Sequence, residues 1–155
     1  MRKNNSIKKR TAAPDHKYNN PALAKFINYV MLDGKKSVAR AVVYRALSIV
    51  EEKTKQEAMT VFDTALKNVS PTLEVKSKRV GGANYQVPMQ VRGDRRQFLA
   101  MNWIIRAARS QKGRAMSAKL ADELIAAAKG EGAAVKRRED TERMAAANRA
   151  FAHFA

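Results

Sequence analysis

The feature that most constrains this chain is a Gly81-Gly82 pair set between two runs of alternating residues. Upstream, Leu73 and Val75 alternate with Glu74 and Lys76. Downstream, Tyr85, Val87, Met89 and Val91 alternate with Gln86, Pro88 and Gln90. Period-two alternation on both sides of such a pair predicts a β-hairpin over residues 72–91. Lys76, Lys78 and Arg79 crowd toward its turn with no acid beside them. A lone hairpin is marginal in water and gains nothing from like charges at its tip. It makes better sense as an arm that touches a polyanion. At ~3.3 Å per residue, strands of about eight residues project on the order of 25 Å.

Helical spacing brackets the hairpin. Asn20-Pro21 reads as an N-cap and first helical residue, followed by a stripe of Leu23, Phe26, Ile27, Val30 and Met31 that Asp33-Gly34 ends. A second stripe carries Ala39, Val42, Val43, Ala46, Leu47 and Val50. A third carries Ala58, Val61, Phe62, Ala65, Leu66 and Val69, and Pro71 closes it. After the hairpin, Asp94 and Gln97 stand at capping-box spacing, with Asp94 as the expected N-cap. The fourth helix, from Phe98 to Ala108, is apolar nearly all round and is expected to be the central one, with Trp103 in the core. The fifth carries Leu120, Ala121, Leu124, Ile125 and Ala128. A charged sixth starts near Val135 and is expected to pack Met144, Ala147 and Phe151. The expectation is a mainly α, six-helix domain over residues 20–155, with one extended basic hairpin between the third and fourth helices and a basic arm over residues 1–19. That arm, carrying Arg2, Lys3, Lys8, Lys9, Arg10 and Lys17 against Asp15 alone, reads as extended until bound.

Charge decides the class of partner. The chain has 155 residues, with 31 Lys and Arg against 14 Asp and Glu, a formal net charge of +17. Such an excess repels itself in the folded state, and a partner rich in phosphate relieves it. No apolar run is long enough to span a bilayer, and no helix shows the one-sided face of a membrane-surface binder. Catalysis has nothing to stand on. There is no Cys, the two histidines His16 and His153 lack ligand spacing, and Gly81-Gly82 has no phosphate-loop context. Glu139, Asp140 and Glu142 sit within helical reach of Lys136, Arg138 and Arg143, which reads as surface ion pairing. No enzyme, cofactor, metal or small-molecule substrate is expected.

Cation placement sharpens the reading. Lys35 and Lys36 open the second helix, and Arg92, Arg95 and Arg96 the fourth. The helix dipole disfavours cations there by ~0.3–1 kcal/mol each, whereas an approaching phosphate takes both the side chain and the free N–H groups. Arg109, Lys112 and Arg114 add a basic stretch around the SQKGR loop. A surface of loops and helix starts suits irregular folded RNA. The third helix carries Lys67 alone as a cation, which does not suit a DNA recognition helix. A DNA-bending arm remains the alternative, but Pro88 lies well back from the tip and makes a poor intercalating wedge.

Five stretches carry a resemblance: LAKFINYVMLDGKKS (23–37), SPTLEVKSKRVGGANYQVPMQV (70–91), RRQFLAMNWIIRAAR (95–109), MSAKLADELIAAA (116–128) and AVKRREDTERMAAANRAFAH (134–153). With them the chain resembles the family of bacterial small-subunit ribosomal protein seven nearly end to end. It departs from the family at its first residues, at Gly93-Asp94, where Pro-Val is more usual, and at the ending AHFA. The resemblance implies a structural constituent of the small ribosomal subunit in the cytoplasm. It implies binding of 16S ribosomal RNA in the 3′ major domain and nucleation of the 30S head. It also implies a position near the exit (E) site, facing E-site transfer RNA, and contacts with small-subunit proteins nine and eleven. The ribosomal RNA contacts it implies are Arg2, Lys3, Lys8, Lys9, Arg10, Lys35, Lys36, Lys76, Lys78, Arg79, Arg92, Arg95, Arg96, Arg109, Lys112 and Arg114. The implied tRNA-facing residues are Lys78, Arg79, Gly81, Gly82, Ala83, Asn84, Tyr85, Arg143 and Met144.

Overall fold

The computed structural model describes residues 13–154. Five helices, α1 (Pro21–Val30), α2 (Lys36–Thr54), α3 (Ala58–Val69), α4 (Gly93–Ser110) and α5 (Met116–Ala128), supply most of one apolar core, which Ala134 and Val135 complete. Between α3 and α4 stand β1 (Leu73–Val80) and β2 (Ala83–Gln90). A sixth helix, α6 (Ala133–Ala147), and a 3-10 helix, Arg149–Phe154, complete the chain. Architecture and order match the sequence expectation.

The local signals account for most boundaries. Asn20 Oδ1 accepts the backbone N–H groups of Ala22 (2.7 Å) and Leu23 (3.2 Å), so the cap with Pro21 behind it starts α1 as predicted. The three apolar stripes point inward, and Phe26 meets Phe62 edge to face at 5.2 Å. Gly81 and Gly82, at φ +57° and +90°, supply the two left-handed residues of a primed turn, with Val80 paired to Ala83 beside them.

Several expectations need correction. Asp94 does not cap α4. Arg92 holds the N-cap position, no side chain closes that end, and Asp94 lies inside the first turn. Helix α4 shares the centre with α5: α4 packs on α1, α3, α5 and α6, while α5 packs on α2, α3, α4 and α6. Trp103 is only partly buried against the core. On α6 the buried residues are Ala134, Val135, Thr141 and Ala145, and Met144 is exposed. Ala147, also expected to pack, is exposed as well: the inward face follows the helical phase of Ala134, Thr141 and Ala145, which turns Met144 and Ala147 to solvent.

The part of the expected arm that lies within the described residues is folded. Asp15 is buried, accepts the N–H groups of Lys17 (3.0 Å) and Tyr18 (3.2 Å), and takes the Tyr44 hydroxyl of α2 at 2.7 Å. The one acid of that segment pins it to the domain. Burial pushes the Asp15 carboxyl up, but those hydrogen bonds and the Arg40 charge outweigh it and hold the group below its usual value.

A second buried acid fixes α6. Glu123 on α5 is 3% exposed, and its Oε1 accepts the Ala134 N–H at 2.8 Å, capping α6 from a neighbouring helix. Burial raises its pKa against the opposing hydrogen bonds from Ala134 and Ala133. Gly132, at φ +97°, lets the backbone pass, since a Cβ there would lie 3.1 Å from both Glu123 Oε1 and Ala126 Cβ. Asn68 of α3 donates to the carbonyls of Ala127 (3.0 Å) and Ala128 (2.9 Å) at the end of α5, and Arg138 of α6 donates to the Asn68 carbonyl. Gly132→Ala is therefore expected to lower folding stability by about 1–3 kcal/mol, read by chemical denaturation.

Candidate nucleic-acid interface

The hairpin is polar inside as well as out. Its register pairs Glu74 with Met89, Lys76 with Val87 and Lys78 with Tyr85 on one face, and Val75 with Pro88 on the other. A two-residue turn forces this phase, which sets the apolar stripe of β2 opposite the charged stripe of β1. Val87 and Pro88, on opposite faces, are both buried. Glu74 is 8% exposed, and it receives Lys76 at 3.0 Å and Arg95 of α4 at 3.2 Å. Burial pushes its carboxyl up, but the hydrogen bonds and charges of Lys76 and Arg95 prevail and hold it below the usual carboxylate value. Glu142 of α6 accepts from the Thr72 hydroxyl at 3.1 Å, so the hairpin base is clasped from α4 and from α6.

The two basic helix starts differ. Lys35 is the N-cap of α2 and Lys36 its first residue; no side chain caps that end, and its first turn holds no acid. Lys36 borders a cavity of about 140 Å³ shared with His16, Asn28 and Arg40. At α4, Asp94 partly balances Arg92, Arg95 and Arg96, and Arg95 is spoken for by Glu74. Arg95 also lies 5.3 Å from the Phe98 ring centroid.

Other predicted contacts hold the fold. Arg109 donates to the Val30 carbonyl at 3.1 Å and closes the end of α1. Arg114 meets Asp122 at 2.6 Å, and Lys53 reaches the same carboxylate at 2.7 Å. The Lys53 hydrogen bond first, and Arg114 with it, outweigh burial and hold Asp122 low. Among the described residues, Lys35, Lys36, Arg79, Arg92, Arg96 and Lys112 are exposed and form no ion pair. Arg2, Lys3, Lys8, Lys9 and Arg10 lie outside the described residues. The expected surface pairing on α6 is present, with Arg138 on Glu139 (3.3 Å) and Glu142 (3.8 Å) and Arg143 on Asp140 (3.7 Å).

At the far end, the hairpin tip is not solitary. Helix α6 packs along both strands and the 3-10 helix packs on β2. Lys78 Nζ donates to the Phe154 carbonyl at 2.5 Å, and the Tyr85 ring lies 5.3 Å from Phe151 and 5.0 Å from Phe154. Arg143 and Met144 are exposed on the helix that runs beside the hairpin. Sequence reasoning assigned Phe151 to the packing face of α6 and passed over Phe154; their i, i+3 spacing was the available signal.

A family model described as "Ribosomal protein S7p/S5e" matches residues 1–149. The small ribosomal subunit protein uS7 of Pelotomaculum thermopropionicum is 53% identical over 154 residues, covering 99% of each chain. Those of Rhodopseudomonas palustris and Desulfatibacillum aliphaticivorans are 54% and 50% identical over the same length and coverage.

The carboxylates set an acid limit. Asp15, Glu74 and Asp122 titrate below their ordinary values in the fold. The unfolded chain therefore binds their protons first. Their contribution is complete above the ordinary carboxylate range of about 4 and is lost as pH falls through the folded values. Glu123, shifted the other way, opposes this trend. Glu74→Gln is expected to cost about 1–2 kcal/mol at neutral pH and to flatten the loss of stability below about pH 4, measured by denaturant melts across pH.

Proposed function

Since the chain belongs to the S7p/S5e family of ribosomal proteins, as a structural constituent of the small ribosomal subunit and not an enzyme, we propose that it binds 16S ribosomal RNA directly in the 3′ major domain. In this reading it nucleates assembly of the 30S head in the cytoplasm and lies beside the E site. It also contacts small-subunit proteins nine and eleven. The observation that carries the reading is the bare start of α2. Lys35 and Lys36 stand where the helix dipole is positive, with no acid in the first turn and no side-chain cap. Folding alone disfavours that arrangement. A phosphate reverses the sign, accepting from the free N–H groups and both ammonium groups at once.

Arg79, Arg92, Arg96 and Lys112 extend the phosphate-binding set, and the residues before position 13 (Arg2, Lys3, Lys8, Lys9, Arg10) are proposed to add to it. Lys76, Arg95, Arg109 and Arg114 support it from within. Each is held by a protein partner that would have to be given up, or shared, for a phosphate contact. The tip from Lys78 to Tyr85, with Arg143 and Met144, is proposed to face E-site tRNA. Support for that division comes from α6, which packs along the hairpin and carries Arg143 and Met144 beside it. The energetics are those of counterion release, in which each phosphate neutralised by Lys or Arg frees a condensed cation.

Reversing Lys35, Lys36 and Arg96 to Glu together is expected to weaken binding to a 16S head-domain fragment by on the order of a hundredfold at physiological salt, read by filter binding. The far-ultraviolet circular dichroism should stay that of the wild type, because none of the three is buried or ion-paired among the described residues. Wild-type affinity in that variant would remove the phosphate role from both helix starts.

A further inference from the structure

Three aromatic rings stand together away from the core. Tyr85 comes from β2, and Phe151 and Phe154 from the 3-10 helix that follows α6. Phe151 and Phe154 are within 15° of parallel with centroids 6.5 Å apart, and His153 lies 4.0 Å from Phe154. None of the three rings belongs to the apolar core, and each stays half-buried, whereas Phe26 and Phe62 are fully enclosed.

Tail docking accounts for part of this. The Lys78 bond to the Phe154 carbonyl and the ring contacts hold the 3-10 helix on the hairpin. Docking needs apolar volume, which leucine would supply. It does not call for flat rings that keep surface in water at the end of a cationic arm. The two segments that carry the rings hold no acidic side chain: none occurs between Val75 and Gly93 or from Arg143 to Ala155, while Lys78, Arg79 and Arg149 are exposed there. Aromatic faces flanked by cationic side chains are the chemistry of single-stranded nucleic acid, with bases stacking on rings and phosphates meeting the charges.

We propose that Tyr85, Phe151 and Phe154 form a composite stacking platform for an unpaired base of single-stranded RNA, built jointly by the hairpin tip and the C-terminal 3-10 helix. The proposal rests on the reading of the chain as an RNA-binding protein and goes beyond it. It assigns base contact to a surface that the charge pattern alone would give only to phosphates, and it makes the tail half of that surface. Stacking makes the platform sequence-tolerant, because every base offers a π-face.

The test compares a short unstructured ribo-oligonucleotide with the same backbone carrying abasic riboses, at fixed salt, beside a 16S head-domain fragment. Wild-type protein should prefer the base-bearing strand by about fivefold or more. The triple variant Tyr85→Leu, Phe151→Leu, Phe154→Leu should lose that preference. It should keep its affinity for the abasic strand and the 16S fragment, together with the wild-type circular dichroism. Tyr85→Phe with Phe151→Tyr and Phe154→Tyr should keep the preference. A wild type that binds the fragment but treats both strands alike overturns the platform and leaves the ribosomal RNA reading intact. A leucine variant that keeps the preference, or loses both strands equally, also overturns it. A wild type that binds neither strand nor fragment overturns the RNA reading as well.

Discussion

The interaction on which the rest depends is the grip of the Glu74 carboxylate on Arg95 and Lys76. A two-stranded hairpin cannot hold itself up in water. This one is anchored because a single buried acid at its base reaches the first turn of α4, while Glu142 of α6 holds Thr72. The same contact neutralises one cation at a helix start that has no side-chain cap. Without Glu74, the hairpin base would bring Lys76 and Arg95 together with nothing between them, and strand direction would lose its main polar determinant.

Seen across the molecule, the scarce acids are used inward. Asp15 pins the segment before α1, Glu123 caps α6, Asp122 ties Lys53 and Arg114, and Glu74 sets the hairpin. Each sits at a junction between elements, 11 residues apart for Glu123 and Ala134 and 69 for Asp122 and Lys53. The excess positive charge is thereby left on loops, helix starts and the hairpin. The fold spends little of it on itself, and self-repulsion is relieved only by a polyanion. Stability and the proposed binding should therefore be separable: losing the junction acids is expected to loosen the fold, and losing the exposed cations to weaken binding.

The elements that were legible in the sequence are those governed by local chemistry. Asn20-Pro21, the three apolar stripes and Gly81-Gly82 each act within a few residues, so their meaning does not depend on distant partners. What stayed hidden depended on long-range pairing. Asp94 had capping-box spacing, but the chain enters α4 two residues earlier because Val91 is buried and bonded to the Thr72 carbonyl at the hairpin base. Met144 looked like a core residue by type, yet the neighbours of α6 select the phase of Ala134, Thr141 and Ala145 and leave Met144 outside. Of the predicted contacts, Arg95, Arg109 and Arg114 read as free cations, because their partners Glu74, the Val30 carbonyl and Asp122 lie 21, 79 and 8 residues away. The joining of Phe151 and Phe154 to Tyr85 was invisible for the same reason.

The central claim is that this chain meets folded RNA through phosphates, over a face its own acids leave bare. The most direct measurement is the affinity for a 16S head-domain fragment as a function of salt. The account predicts a linear fall of log K with log salt concentration, with a slope of roughly 0.7–0.9 for each phosphate neutralised and several phosphates engaged. Replacing Lys35 and Lys36 with Ala should reduce the steepness by about 1–2. A slope near zero, or one unchanged by that replacement, would contradict it.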